Sequence, residues 1–180
     1  MRLSILIAIV LLPVAAFAEM PRINPAFRFS AENPNFTGRN KDWMADARTG
    51  CWLFDGNPAP GETVEWSGDC QDRLATGDGT ATFYKEGQAR LTIVGKFSRG
   101  SLTGQGKLVN GGDIYEGEFA FTAQYGTGVL TKANGEQYRG TWPGSGTYSL
   151  PDGTNCPALA RRYQRFFVIY GSCVTETLRK

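Results

Sequence analysis

Glu116 and Glu118 are the residues in this sequence best spaced for acid–base chemistry. On a strand, positions i and i+2 share one face about 6.6 Å apart. That is close to the lower edge of the carboxylate separation used by inverting glycosidases. The competing account is a solvated strand face whose charges pair with neighbours. The matching positions nearby hold Lys96 and Arg139, not further acids. Cross-strand ion pairing among Lys96, Glu116, Glu118 and Arg139 is therefore the simpler expectation. The chain has no histidine. Ser-His-Asp and Cys-His nucleophile systems are thereby removed, as are histidine metal sites. The sequence points to no catalytic residue, no metal ligand and no cofactor, and the chain reads as a non-enzyme.

Four cysteines remain, Cys51, Cys70, Cys156 and Cys173. They lack the close spacing of zinc modules and fit two disulfides, for which three connectivities exist. The sequential solution, Cys51–Cys70 with Cys156–Cys173, is favoured. Each of its loops is worth about 3 kcal/mol in the chain-entropy picture. Gly77-Asp78-Gly79, Gly104-Gln105-Gly106 and Gly126-Thr127-Gly128 could pass for phosphate-cradling loops. Such loops need a helix N-terminus directly after them. Here strand-like runs follow, so the glycines read as structural.

The elements that must position these residues show themselves by repetition. Tyr115-Glu116-Gly117-Glu118-Phe119 returns as Tyr138-Arg139-Gly140-Thr141-Trp142, 23 residues later. Gly126-x-Gly128 returns as Gly144-x-Gly146, and Asn134-Gly135 as Asp152-Gly153. Earlier units are Ile93-Val94-Gly95-Lys96-Phe97 before Gly104-x-Gly106, and Trp66-Ser67-Gly68 before Gly77-x-Gly79. Four units result, the last one shortened. Residues 50–153 hold 21 of the 23 glycines, so glycine is a requirement of the repeat. In each unit, aromatic-x-Gly-x-aromatic puts two rings and a glycine on one strand face. The glycine leaves a slot for close packing. Gly-x-Gly starts a returning strand, Gly126 to Lys132 in the third unit, and Asn-Gly turns into the next. One hairpin is marginal in water; a stack of them buries a continuous core.

These motifs, from Trp66 to Gly153, resemble the MORN repeat, the membrane occupation and recognition nexus motif. The preceding Cys51-Trp52, Pro58-Ala59-Pro60 and Trp66-Ser67-Gly68-Asp69-Cys70 look like the entry module of exported bacterial MORN proteins. That resemblance implies that Cys51 and Cys70 tie a leading strand to the first repeat. It also implies a binding or scaffold role, and an association with phospholipid membranes. Ile93 stands where the pattern has an aromatic.

The flanks complete the organisation. Residues 1–18 read as a signal peptide, with Arg2, an apolar core from Ile5 to Val14 and Ala16-Phe17-Ala18 before the cut. Leu3 to Ala18 is shorter than the roughly 20 residues that span a bilayer, so no transmembrane segment is expected after cleavage. Export to the periplasm or outside the cell follows. Residues 19–49 read as an extended entry segment, with Pro21, Pro25 and Pro34 opposing helix. Phe27, Phe29 and Phe36 are candidates to pin it, and Asn35-Phe36-Thr37 forms a glycosylation sequon. Lys41 to Arg48 could form a short helix. Residues 154–180 read as a C-terminal cap. Within it, Pro157 to Tyr163 is expected as helical turns and Phe166 to Tyr170 as a strand. A straight helix from 157 to 171 would hold Cys156 and Cys173 over about 20 Å apart, so a bonded pair requires the segment to fold back.

The mature chain would carry 18 basic against 17 acidic residues, which argues against nucleic acid as a partner. The predicted fold is an all-β, elongated array of antiparallel hairpins. Trp66, Phe97, Tyr115, Phe119, Tyr138 and Trp142 form a ladder on one face, either as core or as a groove for lipid or glycan. Asp69, Lys96, Glu116, Glu118 and Arg139 line the opposite strip, a polar surface for an envelope protein partner.

Overall fold

The computed structural model describes residues 42–56, 58–163 and 166–174. The expected signal peptide, most of the entry segment and its Asn35 sequon lie outside the described residues. Thirteen strands follow in chain order: β1 Trp43–Ala45, β2 Trp52–Phe54, β3 Thr63–Trp66, β4 Asp69–Gln71, β5 Leu74–Lys85, β6 Gln88–Ser98, β7 Ser101–Asn110, β8 Asp113–Ala120, β9 Ala123–Thr131, β10 Gln137–Trp142, β11 Gly144–Ser149, β12 Asn155–Tyr163 and β13 Phe166–Gly171. They form one long, open sheet in the order β1-β2-β5-β6-β7-β8-β9-β10-β11-β12-β13, with β3 and β4 also paired to β5. Every pairing is antiparallel except β2 with β5, which meet in parallel at Trp52 and Leu74. No helix among the described residues is long and apolar enough to cross a membrane.

Turn chemistry makes the hairpins. Asp72-Arg73, Glu86-Gly87, Arg99-Gly100, Gly111-Gly112 and Phe121-Thr122 all have positive φ at both residues, the type I′ geometry that suits two-residue hairpins. Phe121 (51°) and Thr122 (62°) lack the usual Asn or Gly, and backbone strain of this kind costs on the order of 1–3 kcal/mol per residue. The surroundings hold them in place. Thr122 N donates to Leu102 O (2.9 Å) and Leu102 N to Thr122 Oγ1 (3.0 Å). The Phe121 ring lies 4.6 Å from that of Phe54. The returning strand β9 therefore begins at Ala123, three residues before the Gly126 expected from sequence.

Register explains the glycines. Gly79, Gly95, Gly106, Gly117, Gly128, Gly140 and Gly146 are cross-strand neighbours in one unbroken row over β5 to β11. Ala158 and Gly171 continue the row into β12 and β13. A Cβ on Gly79 would strike the Trp66 ring, on Gly128 the Tyr115 ring, and on Gly146 the backbone of Arg139 and Gly140 and the Tyr138 ring. Tyr115 and Tyr138 thus each lie against two glycines on adjacent strands, and Trp66 lies against Gly68 and Gly79. In Gly-x-Gly the second glycine belongs to this row. The first, as at Gly77 (φ 75°), Gly104 (φ 77°) and Gly126 (φ 59°), takes left-handed backbone; at Gly104 and Gly126 it stands beside a register shift that bends the strand.

The second unit solves its missing aromatic differently. Leu102, fully buried, fills the slot over Gly95 and Gly106, and Ile93 packs beside it in the same core.

Both disulfides match the sequential pairing, with Cα–Cα distances of 5.8 Å for Cys51–Cys70 and 6.0 Å for Cys156–Cys173. Two local expectations were overturned. Trp43–Ala45 is strand β1, paired to β2, where Lys41 to Arg48 pointed to helix. Pro157 to Tyr163 belongs to strand β12, not to helical turns. Cys156, Ala158 and Ala160 are buried at alternate positions, a period of two that pairing with β11 and β13 enforces over the helix propensity of Ala-Leu-Ala-Arg. The segment does fold back, and β13 forms as expected. These two strands extend the sheet itself.

Candidate functional site

The two sheet faces have opposite characters because the side-chain period is two. On the inner face, Ala81, Ile93, Leu108, Tyr115, Leu130, Tyr138, Tyr148 and Cys156 form one cross-strand row. Phe97, Phe119 and Trp142 lie beyond the glycines on the same side. Rings meet edge to face: Tyr115 with Phe119 at 5.1 Å and with Trp142 at 5.2 Å, Tyr138 with Trp142 at 4.9 Å, Trp142 with Phe167 at 5.1 Å. Such pairs add about 0.5–1.5 kcal/mol beyond the area they bury.

The polar tips of Trp66, Tyr115 and Tyr138 are turned into the backbone. Trp66 Nε1 donates to Asp69 O (2.8 Å), Tyr115 Oη to Glu118 O (3.1 Å), and Tyr138 Oη to Gly144 O (2.8 Å). Thr141 O stands 3.2 Å from the Tyr138 hydroxyl, so the aromatic tip repeatedly reaches the carbonyl three residues on. Burial, helped by the Glu118 charge, pushes the Tyr115 hydroxyl well above the usual tyrosine range. Burial raises Tyr138 likewise, against a backbone bond from Ala160. Trp66, Phe97, Tyr115, Phe119, Tyr138 and Trp142 are each at most 4% exposed. Of the two roles open to this ladder, the geometry is that of a core. Its ring faces are spent on glycines and on one another, leaving none for a sugar or acyl chain.

The outer face carries the charged candidates. Glu116 pairs with Lys107 (3.1 Å), both partly exposed, because the register places Lys107 directly opposite it. This corrects the expected network. Lys96 stands opposite Asp78, and β9 separates Glu116 from Arg139, with Val129 between them. Glu118 accepts a bond from Thr127 N (3.2 Å), bracing the bend at Gly126. The carboxylate pair is thus divided, one group bound to a lysine and the other to backbone. Val94, Gln105, Lys107, Glu116, Thr127 and Val129 wall a shallow trough whose floor is Gly95, Gly106, Gly117 and Gly128. Among the described residues, no group of three or more His, Cys, Asp or Glu is arranged to hold a metal ion.

Three buried polar clusters escaped the sequence reading, and all of them fasten the fold. Glu136 accepts bonds from Tyr148 Oη (2.7 Å) and Lys132 Nζ (2.9 Å) in the β9–β10 connection. Those two bonds and the Asn134 side chain hold its carboxyl down at about 2. Asp46 is 1% exposed; burial works to raise its pKa, but bonds from Arg48 N, Thr49 Oγ1 and Trp66 N outweigh this and keep it below the usual value. Arg90 bridges Glu62 (2.5 Å) and Asp55 (3.3 Å), closing the loop ahead of β3. A signal for the first existed in Lys132 and Glu136 on either side of Asn134-Gly135. Among the described residues, Val94, Phe121, Tyr125 and Tyr170 are exposed large apolar side chains.

No protein-family model matches this sequence, and no curated protein matches it.

Proposed function

We propose that this chain is an exported, non-enzymatic binding or scaffold protein of MORN type, which contacts a protein partner in the cell envelope through the outer face of its sheet. The observation that carries this reading is the division of labour between the faces. The aromatic ladder is closed into the core, whereas the outer face presents Glu116, Arg139 and the glycine-floored trough for recognition. Mixed charge of this kind favours protein contacts, where complementary patches steer encounter and reject wrong partners. The two disulfides fit an oxidising compartment, in keeping with a leader at residues 1–18. Engagement of Glu116 by Lys107, and of Glu118 by backbone, favours a binding role over hydrolysis.

The test is capture of an envelope extract on oxidised protein comprising residues 19–180, beside the double variant Glu116→Arg, Arg139→Glu. A stoichiometric protein bound by the parent and lost from the variant is expected. Recovery of lipid or glycan alone, unaffected by the variant, would overturn the reading.

A further inference from the structure

The outer face carries a symmetry of its own. Across β6, β7, β8 and β9, the row beside the glycines reads Val94, Lys107, Glu116, Val129. The next row outward reads Thr92, Val109, Ile114, Thr131. Read in either direction, aliphatic and hydroxyl positions coincide, and the two charges exchange sign. Val94, Val109, Ile114 and Val129 make a contiguous aliphatic patch around the Lys107–Glu116 pair. Val94 is 40% exposed, and contiguous apolar surface of this kind marks contact sites.

We infer that this face binds a second copy of the chain, forming a symmetric dimer in which two sheets stack face to face. The inference rests on the outer-face reading above and names the partner. A two-fold axis running along the strands, in the contact plane between β7 and β8, keeps each row over its own row. It lays Lys107 over Glu116 of the second copy, and Glu116 over its Lys107. Val94 meets Val129, Val109 meets Ile114, and Thr92 meets Thr131. Each contact occurs twice, as an isologous interface requires. Stacked twisted sheets cross at about 30° roughly 10 Å apart, so the central strands dominate the contact. Four strands by two rows give a footprint of roughly 20 by 13 Å per copy. That buries about 500 Å² in total, the size of a weak, transient contact, so the dimer forms at the upper end of the concentration range.

The test uses sedimentation equilibrium of the oxidised protein from micromolar to millimolar concentration, with Lys107→Glu and Glu116→Lys made singly. Lys107→Glu sets glutamate over glutamate at both charged contacts, and Glu116→Lys sets lysine over lysine. Each variant alone should dimerise about tenfold more weakly or worse, since like charges in apposition are costly. An equimolar mixture of the two should dimerise at least as well as the parent. In that mixture every charged contact between copies is complementary, while each chain keeps its own like-charged neighbours. Recovery therefore arises between chains and not from repaired folding. A parent monomeric at millimolar concentration, or single variants that dimerise like the parent, would overturn the inference. So would a mixture as weak as its components. A monomeric parent whose extract partner is still lost with Glu116→Arg, Arg139→Glu would sink the dimer and leave the outer-face reading standing.

Discussion

Gly128→Ala tests the packing rule on which the sheet is built. The backbone at Gly128 lies outside the left-handed region, so alanine is sterically acceptable there in φ. With space available, the substitution would stabilise by about 0.4–1 kcal/mol, because alanine has less freedom to lose on folding. Space is what is missing. A Cβ would stand against the Tyr115 hydroxyl oxygen, 2.5 Å from its Cζ and 2.6 Å from its Cε2, the three nearest atoms. The ring cannot swing away, since it is fully buried and its hydroxyl is bonded to Glu118 O. Overpacking of this kind costs about 1–3 kcal/mol. The variant should therefore lose roughly 2 kcal/mol in urea unfolding with disulfides intact. Tyr115→Ala alone should cost about 3–5 kcal/mol as a cavity-forming change. On that background Gly128→Ala should be neutral or stabilising, a coupling of about 2–3 kcal/mol. Equal costs on both backgrounds would refute the reasoning, and so would a parent protein that accepts alanine without loss.

Two further outcomes follow from the same packing and from the buried carboxylate. Leu102→Ala empties the slot that rings fill in the other units, and should cost about 2–5 kcal/mol by thermal or urea unfolding; a loss within about 0.5 kcal/mol, ordinary for surface sites, would remove Leu102 from that role. Glu136 is held at about 2, against 4.5 when unperturbed. A depressed carboxylate stabilises the fold above its unfolded value, and that stability is lost as pH falls through its folded value. Glu136→Gln should be destabilised at pH 7 by about 3–5 kcal/mol, because Lys132 loses its buried carboxylate. Its gap to the parent should narrow by on the order of 3 kcal/mol as pH falls from about 5 toward 2. A gap constant over that window in urea unfolding would refute the assignment.

Much of the architecture was legible because glycine and aromatic residues carry geometry with them. Tyr115-x-Gly117-x-Phe119 and Gly126-x-Gly128 state the row and its ring in one period, and the disulfide pairing could be favoured before any contact was known. What stayed hidden depends on neighbours distant in sequence. Phe121-Thr122 holds no turn residue, and its left-handed backbone is upheld by Leu102 and Phe54. Lys107 became the partner of Glu116 through register alone, since its position in its own unit marks nothing. Leu102 enters a slot belonging to another segment. Pro157-Ala158-Leu159-Ala160 has helix propensity, and only pairing with β11 and β13 makes it a strand. The charged residues of the candidate face pair differently from the sequence pattern, Glu116 with Lys107 and Glu118 with backbone. The aromatic ladder was visible, but whether it lies open or closed depends on packing that no single strand encodes.

The central claim is that one face of this sheet is closed core and the other is the recognition surface. Hydroxyl-radical footprinting of the free, oxidised protein, read residue by residue by mass spectrometry, tests it most directly. Trp66, Tyr115, Tyr138, Trp142 and Tyr148, each at most 2% exposed, should be protected, while Phe121, Tyr125 and Tyr170, at 56%, 57% and 50%, should be labelled rapidly. Labelling of Tyr115, Tyr138 and Trp142 at the rate of Tyr125 would contradict the account, and would return the aromatic ladder to solvent as a groove for lipid or glycan.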